Sequence, residues 1–254
     1  MQPDIAPSRC DWSRDQQRHD IPPVQTPTQT PEPIVLSWSG GKDSALALAA
    51  LRDDASYAVV ALLTTVTNEY DRISIHGVRR TLLAAQQRSI GLPVHEIVLE
   101  PQCSNAAYDA AVERALADVR RRYPRVRRIA YGDLFLEDVR RYREERLRPL
   151  GFEGLFPLWQ QPTDILAREF IERGFKARLV CVDTTQLDGA FAGRAFDSSL
   201  LRELPPTVDP CGERGEFHTF VSAGPGLATS IDYDVGDVVL RDGRFAYCDL
   251  VERG

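Results

Sequence analysis

The sequence predicts an α/β protein, a parallel sheet covered by helices and followed by a smaller α+β region. Three observations carry that prediction. Short β-branched apolar runs alternate with helix-period segments from Ile34 to Leu147, the pattern of βαβ units with right-handed crossovers. The second of those runs, Tyr57 to Val66, is apolar or β-branched along its length, as a strand covered on both faces should be. After Gly151 the alternation loosens, and Arg241-Asp242-Gly243 separates two apolar runs, a strong hairpin signal.

Residues 1–32 are polar and rich in proline, glutamine and threonine. Such a stretch buries too little apolar surface to offset its ordering entropy, so a disordered or extended tail is expected. The first strand begins at Ile34. Gly40 and Gly41 turn the chain sharply into an Ala/Leu-rich helix. Tyr57–Val66 is the second strand and Thr67–Ser74 a polar loop. Val78, Leu82 and Ala85 keep helical spacing to about Ile90, where Gly91 and Pro93 stop it. Val94–Leu99 is the third strand. Ser104 or Asn105 caps a helix with the stripe Tyr108, Val112, Leu116, Val119 and Tyr123. Arg127–Tyr131 is the fourth strand, ending at Gly132-Asp133, and a helix follows from about Glu137 to Leu147.

Phe156–Gln160 reads as a loop. Thr163 or Asp164 caps a helix that reaches about Arg173 and stops at Gly174. Ala177–Val182 is a strand and Asp197–Leu204 a short helix. Asp237–Leu240 and Arg244–Cys248 form the hairpin arms. The expected domains are residues 33–150 and 151–254, the second packed over a crevice in the first.

A net charge of −6 argues against a broad nucleic-acid footprint, which needs a basic surface. Lys42 and Lys176 are the only lysines, so a lysine in a glycine turn stands out. Five dispersed cysteines without a C-x-x-C pair fit a reducing, cytoplasmic setting. No signal peptide is expected, since the N-terminus lacks an apolar core of roughly 7–15 residues. No run approaches the ~18 apolar residues of a membrane span.

The chemistry concentrates in two stretches. Ser37, Ser39, Gly40, Gly41, Lys42, Asp43 and Ser44 lie between the first strand and its helix. Glycines admit a ligand close to the backbone, and the helix aims free N–H groups and partial positive charge into the turn. That suits phosphate. The spacing is not that of a Walker A loop. Asp43 beside a polyphosphate implies a bridging magnesium ion. Gly132 and Asp133 should open onto the same crevice, at the carboxyl ends of parallel strands. Asp133 could hold magnesium or a ribose. The second stretch, Asp209 to Phe220, sets acids and His218 on a glycine-punctuated loop, suited to binding an amine, ammonia or magnesium.

Ser39–Ser44 resembles the PP-loop of the N-type ATP pyrophosphatases. That loop, Gly132-Asp133, Phe156-Pro157-Leu158-Trp159 and Glu213-Arg214-Gly215-Glu216-Phe217-His218-Thr219 occur in this order. Together they resemble the diphthine–ammonia ligase family over about residues 33–225. The resemblance implies an adenine nucleotide alpha-hydrolase-like, Rossmann-type PP-loop domain and a C-terminal substrate domain. It implies ATP and Mg2+ as cofactors, with Asp43 and Asp133 as metal ligands. Ammonia and a carboxylate-bearing substrate are the implied reactants. Lys42, Asp43, Glu213, Glu216 and His218 take the catalytic positions. His76 joins the loop residues, Gly132 and Asp133 in binding ATP. Arg143, Glu144, Trp159, Gly215 and Thr219 take substrate positions.

Family members commonly carry Glu-Gly-Gly-Glu-Tyr/Phe-Glu-Thr where this chain has Arg214 and His218. Those changes alter charge and hydrogen bonding at the presumed substrate site. ATP chemistry therefore carries over further than diphthine as the substrate. Two other readings are tRNA modification on the same loop and a non-catalytic ATP sensor. The acidic balance and missing catalytic cysteine pair oppose the first, while intact Lys42 and Asp43 oppose the second. Oligomeric state is left open, a homo-oligomer included.

Overall fold

A computed structural model describes residues 30–67, 72–73, 77–101 and 103–253. Residues 1–29 of the expected tail, and His76, lie outside the described residues. The elements are β1 (Glu32–Ser37), α1 (Lys42–Asp53), β2 (Tyr57–Thr67), β3 (Arg72–Ile73), α2 (Arg80–Ile90), β4 (Val94–Leu99), α3 (Asn105–Arg122), β5 (Arg128–Ala130), α4 (Glu137–Leu147), β6 (Glu153–Leu155), α5 (Thr163–Glu172), β7 (Lys176–Asp183), α6 (Ser198–Glu203), β8 (Phe217–Ala223), β9 (Tyr233–Arg241) and β10 (Phe245–Glu252).

Five strands form a parallel sheet in the order β4-β2-β1-β5-β6, and the short β3 runs antiparallel to the end of β2. This is a Rossmann-like α/β sheet. The chain winds outward from β1 through β2 to β4, then returns to the other side of β1 for β5 and β6. The switch therefore falls between β1 and β5, where Leu36 pairs with Ala130. A crevice opens at such a point beyond the strand ends. A second sheet, β8-β7-β10-β9, is antiparallel throughout. Its last hairpin pairs Arg241 with Phe245 and turns at Asp242 and Gly243, both at positive φ (53° and 61°), where Arg244 N donates to Arg241 O at 3.0 Å; Asp-Gly suits such a turn.

One buried apolar cluster runs from Ile34, Leu36 and the inner face of α1 through Phe170 and Phe175 to Phe220 and Leu250. A second, centred on Val35, Leu116, Val119 and Ile129, fills the space beneath α3. Ser104 caps α3, its hydroxyl accepting from Ala107 N at 3.2 Å.

Several local expectations change. The 67–74 loop contains β3, paired through Ile73 with Val66. β6 is three residues, Glu-Gly-Leu, too short to show a period. Neither Thr163 nor Asp164 caps α5. Pro162 is the N-cap residue, and Thr163 Oγ1 instead donates to Asp209 Oδ2 at 2.8 Å. No helix among the described residues is long and apolar enough to cross a membrane.

Candidate active site

A cleft of about 470 Å³ opens at the β1/β5 switch, walled by the glycine loop, the ends of β2 and β5, and the Gly212–Thr219 segment. The loop follows β1 directly. Gly40 sits at φ 80°, and a Cβ there would lie 2.8 Å from Gln86 Oε1. Gly41 is the N-cap residue of α1 and offers no capping side chain, so the N–H groups of Asp43 and Ser44 in the first turn are not taken by a cap. Ser39 and Ser44 hydroxyls lie 3.2 Å apart at the loop's mouth. Ser37 also lines the cleft.

The loop is fixed from behind by the C-terminal sheet. Val221 N donates to Gly40 O at 2.9 Å, and Lys42 N donates to Thr219 Oγ1 at 3.0 Å. Thr219, expected to contact substrate, lines the cleft and with its hydroxyl oxygen also braces the loop backbone. Gly132 has a similar office. A Cβ there would lie 2.8 Å from Asp43 C and O, so glycine lets β5 run against the start of α1. Gly132 also lines the cleft, so its close approach to α1 and its place on the ligand side coincide.

Lys42 is 2% exposed. Its Nζ lies 2.7 and 2.8 Å from the carboxylate oxygens of Asp43. Burial opposes its charge, but Asp43, Cys211 and Glu213 outweigh burial and hold its pKa above the ordinary value. Asp133, expected to hold magnesium, is instead gripped by Arg143, whose Nη2 donates to Oδ1 at 3.0 Å and whose Nε donates to Oδ2. Arg143 also lies over the Tyr131 ring, 4.3 Å from its centroid.

Glu213 reaches the cleft from the second stretch. Its Oε1 accepts from Leu134 N at 2.8 Å and Phe135 N at 3.4 Å. Burial, joined by the Asp43 charge, pushes its carboxyl up to about 7 against the pull of the Leu134 N–H. A carboxyl near neutrality can give or take a proton at working pH. His218 and Gly215 line the same cleft.

Three sequence expectations fall elsewhere. Glu216 is 1% exposed, and its oxygens accept from Asp209 N and Arg214 N, each at 2.9 Å. It holds the loop's shape and does not line the cleft. Trp159 packs edge-on against Phe156 at 5.7 Å, under the Arg140 guanidinium. Glu144 accepts from Arg140 Nε at 2.8 Å on the face of α4. Tertiary packing, which local pattern does not encode, reassigns all three.

Sequence reasoning missed Thr64 and Gln86. Thr64 lines the cleft, and its Oγ1 is buried without a hydrogen-bond partner. An orphaned buried hydroxyl favours a ligand that completes it. Gln86 is fully buried behind the loop. Its signal was available, as a polar residue on the stripe Leu82, Gln86, Ile90.

The cleft's donors suit phosphate: the N-terminus of α1, the serine hydroxyls and the unpartnered Thr64 hydroxyl all line it. Among the described residues no three His, Cys, Asp or Glu side chains form a metal cluster. A magnesium ion here would rest on Asp43, whose side chain is 31% exposed, together with phosphate oxygens. That donor set suits magnesium, which seldom takes an all-protein cage.

The chain is similar to human diphthine–ammonia ligase, 32% identical over 112 residues that make up 42% of each chain. It thus aligns with less than half the length of that relative. Residues 33–153 match the diphthamide synthase N-terminal domain and residues 162–239 the diphthamide synthase C-terminal domain. With the Rossmann-like sheet, the glycine loop at its switch and the Glu213 segment closing over it, the chain belongs to the diphthamide synthase family.

Proposed function

We propose that the protein is an ATP-dependent ligase that amidates a carboxylate with ammonia, releasing AMP and pyrophosphate. One observation carries the reading. The glycine loop from one end of the chain and Glu213 from the other line a single cleft, so phosphate binding and a near-neutral carboxyl share one space.

A carboxylate oxygen of the substrate attacks the α-phosphorus. The bond from that phosphorus to the bridging oxygen breaks, and pyrophosphate leaves with the bonding electrons. Ammonia then adds to the acyl carbon, AMP departs, and the surplus proton passes to a base. The Lys42 ammonium and the N–H groups of Asp43 and Ser44 in the first turn of α1 stabilise charge on the departing pyrophosphate. Magnesium, when bound beside Asp43, would add positive charge there. Glu213, with its carboxyl at about 7, takes the proton. The cleft walls hold nucleophile and phosphorus in line.

The human relative's name points to diphthine as the acceptor. Arg214 and His218 make the acceptor site of this chain more basic than the family pattern, so a different carboxylate is the better expectation. Four described cysteines are free thiols, which supports a reducing, cytoplasmic setting. The test is incubation of the full chain with ATP, magnesium, ammonium and a panel of carboxylates. AMP and pyrophosphate should appear with the amide. ADP and phosphate without AMP would reject the scheme.

A further inference from the structure

We infer that Gln86 is the positioning residue of the phosphate loop, and that its amide keeps the Gly40 carbonyl turned away from the bound nucleotide. The inference rests on the ATP reading and adds a residue that the reading does not use.

Gln86 lies on α2 and is fully buried. A glutamine side chain has one acceptor and two donor hydrogens. All are used. Trp38 Nε1 donates to Gln86 Oε1 at 2.9 Å, and Gln86 Nε2 donates to Gly40 O at 2.9 Å and to Val221 O at 2.8 Å. These partners fix the amide's orientation. Flipped, it would set an N–H against the indole N–H and an oxygen against two carbonyls.

The location explains the cost of burying an amide. Gly40 O and Val221 O are acceptors that both face one point, and the NH2 group of Gln86 stands between them. Val221 N adds a second donor to Gly40 O. The Gly40–Gly41 peptide is therefore held with its oxygen toward the core. A carbonyl released from this grip could rotate toward the cleft and present negative charge to phosphate. Trp38, Gly40 and Val221 belong to the β1 exit, the loop and β8, so one side chain sets the register of three segments. An apolar residue of similar size would fill the space but leave both carbonyls unsatisfied.

The test uses the full chain, magnesium and a non-hydrolysable ATP analogue, with affinity read by calorimetry. Gln86→Met should weaken the analogue by roughly tenfold or more, the order expected for lost buried hydrogen bonds. Gln86→Glu supplies a readout that simple loss of stability would not move. Its ionised form has no hydrogen for Gly40 O, while its protonated form has one. The ratio of variant to wild-type affinity should therefore rise as pH falls from about 8 toward 5.5, through the range of a buried carboxyl. If Gln86→Met fails to fold, the pH series on Gln86→Glu decides. If the wild type binds the analogue and both variants match it at every pH, the inference is overturned. If the wild type binds no analogue, the ATP reading itself falls and takes this inference with it.

Discussion

The Lys42 ammonium lies within 2.8 Å of both carboxylate oxygens of Asp43, its neighbour in sequence. Phe196 and Phe217 close its other side, with ring centroids at 6.0 and 5.7 Å. The pair is neutral as a unit. Incoming phosphate has to draw Lys42 away from Asp43, and a cation beside Asp43 would ease that exchange. Lys42→Met should lower kcat/KM for ATP by roughly 10²–10³, the scale of a lost charge-stabilising donor. Measuring pyrophosphate release against ATP concentration checks it.

The two aspartates of the cleft should separate in a magnesium titration. Each is held at both oxygens, Asp133 by Arg143 and Asp43 by Lys42, but the Asp43 side chain is 31% exposed against 16% for Asp133. Asp43→Asn should raise the magnesium concentration needed for half-maximal AMP formation several-fold. Asp133→Asn should leave that midpoint unchanged while loosening Arg143. Equal shifts in both variants would restore Asp133 as a metal ligand.

Glu213 makes stability depend on pH. The free side chain titrates near 4.5 and the folded one at about 7. Between those values the folded chain binds more protons than the unfolded chain, so this group's contribution to stability falls as pH rises through that window. Gln in its place still accepts from Leu134 N but does not ionise. Glu213→Gln should therefore be more stable than the wild type above about pH 7, by at most about 3 kcal/mol and less where solvent screens the charge. The same variant should lose the rise in kcat with pH that ionisation of a base produces. Urea melts and pH–rate profiles from about pH 5 to 8 read both effects.

Gly132 and Gly174 should respond differently to alanine. A Cβ at Gly132 meets the backbone of Asp43 and Ser44 at 2.8–3.0 Å, so the loop must shift. Gly132→Ala should cost about 1–3 kcal/mol and weaken ATP binding as well. Gly174 has a φ of 83° with open space around its missing Cβ. Gly174→Ala should cost about 1 kcal/mol in melts through backbone strain and leave ATP affinity alone.

Much of this was legible before the structure. The apolar run of β2, the stripe of α3 and the Gly-Gly-Lys-Asp turn are local signals, and each fell where its pattern placed it. Asp-Gly at the last hairpin did so for the same reason. What could not be read was which polar group meets which. Glu216 and Glu213 sit three residues apart on one loop, yet one faces inward to Asp209 N and Arg214 N while the other faces the cleft. Glycines at 212 and 215, with φ of 67° and 82°, set those directions, and their dihedral angles are not written in residue type. Trp159 and Glu144 were drawn to their neighbours Phe156 and Arg140 by contacts that only the folded chain reveals.

β8 is an edge strand of the second sheet, and its free side is spent on Gly40 and Lys42. The glycine loop is therefore a joint product of two distant stretches of sequence, with Thr219 of its backing made 177 residues after Lys42. A ribosome releasing residues up to about 200 would hold a loop still lacking its backing. Chimeras that exchange the C-terminal half among relatives should keep ATP affinity only where the incoming strand offers a threonine hydroxyl and a backbone N–H at these two points.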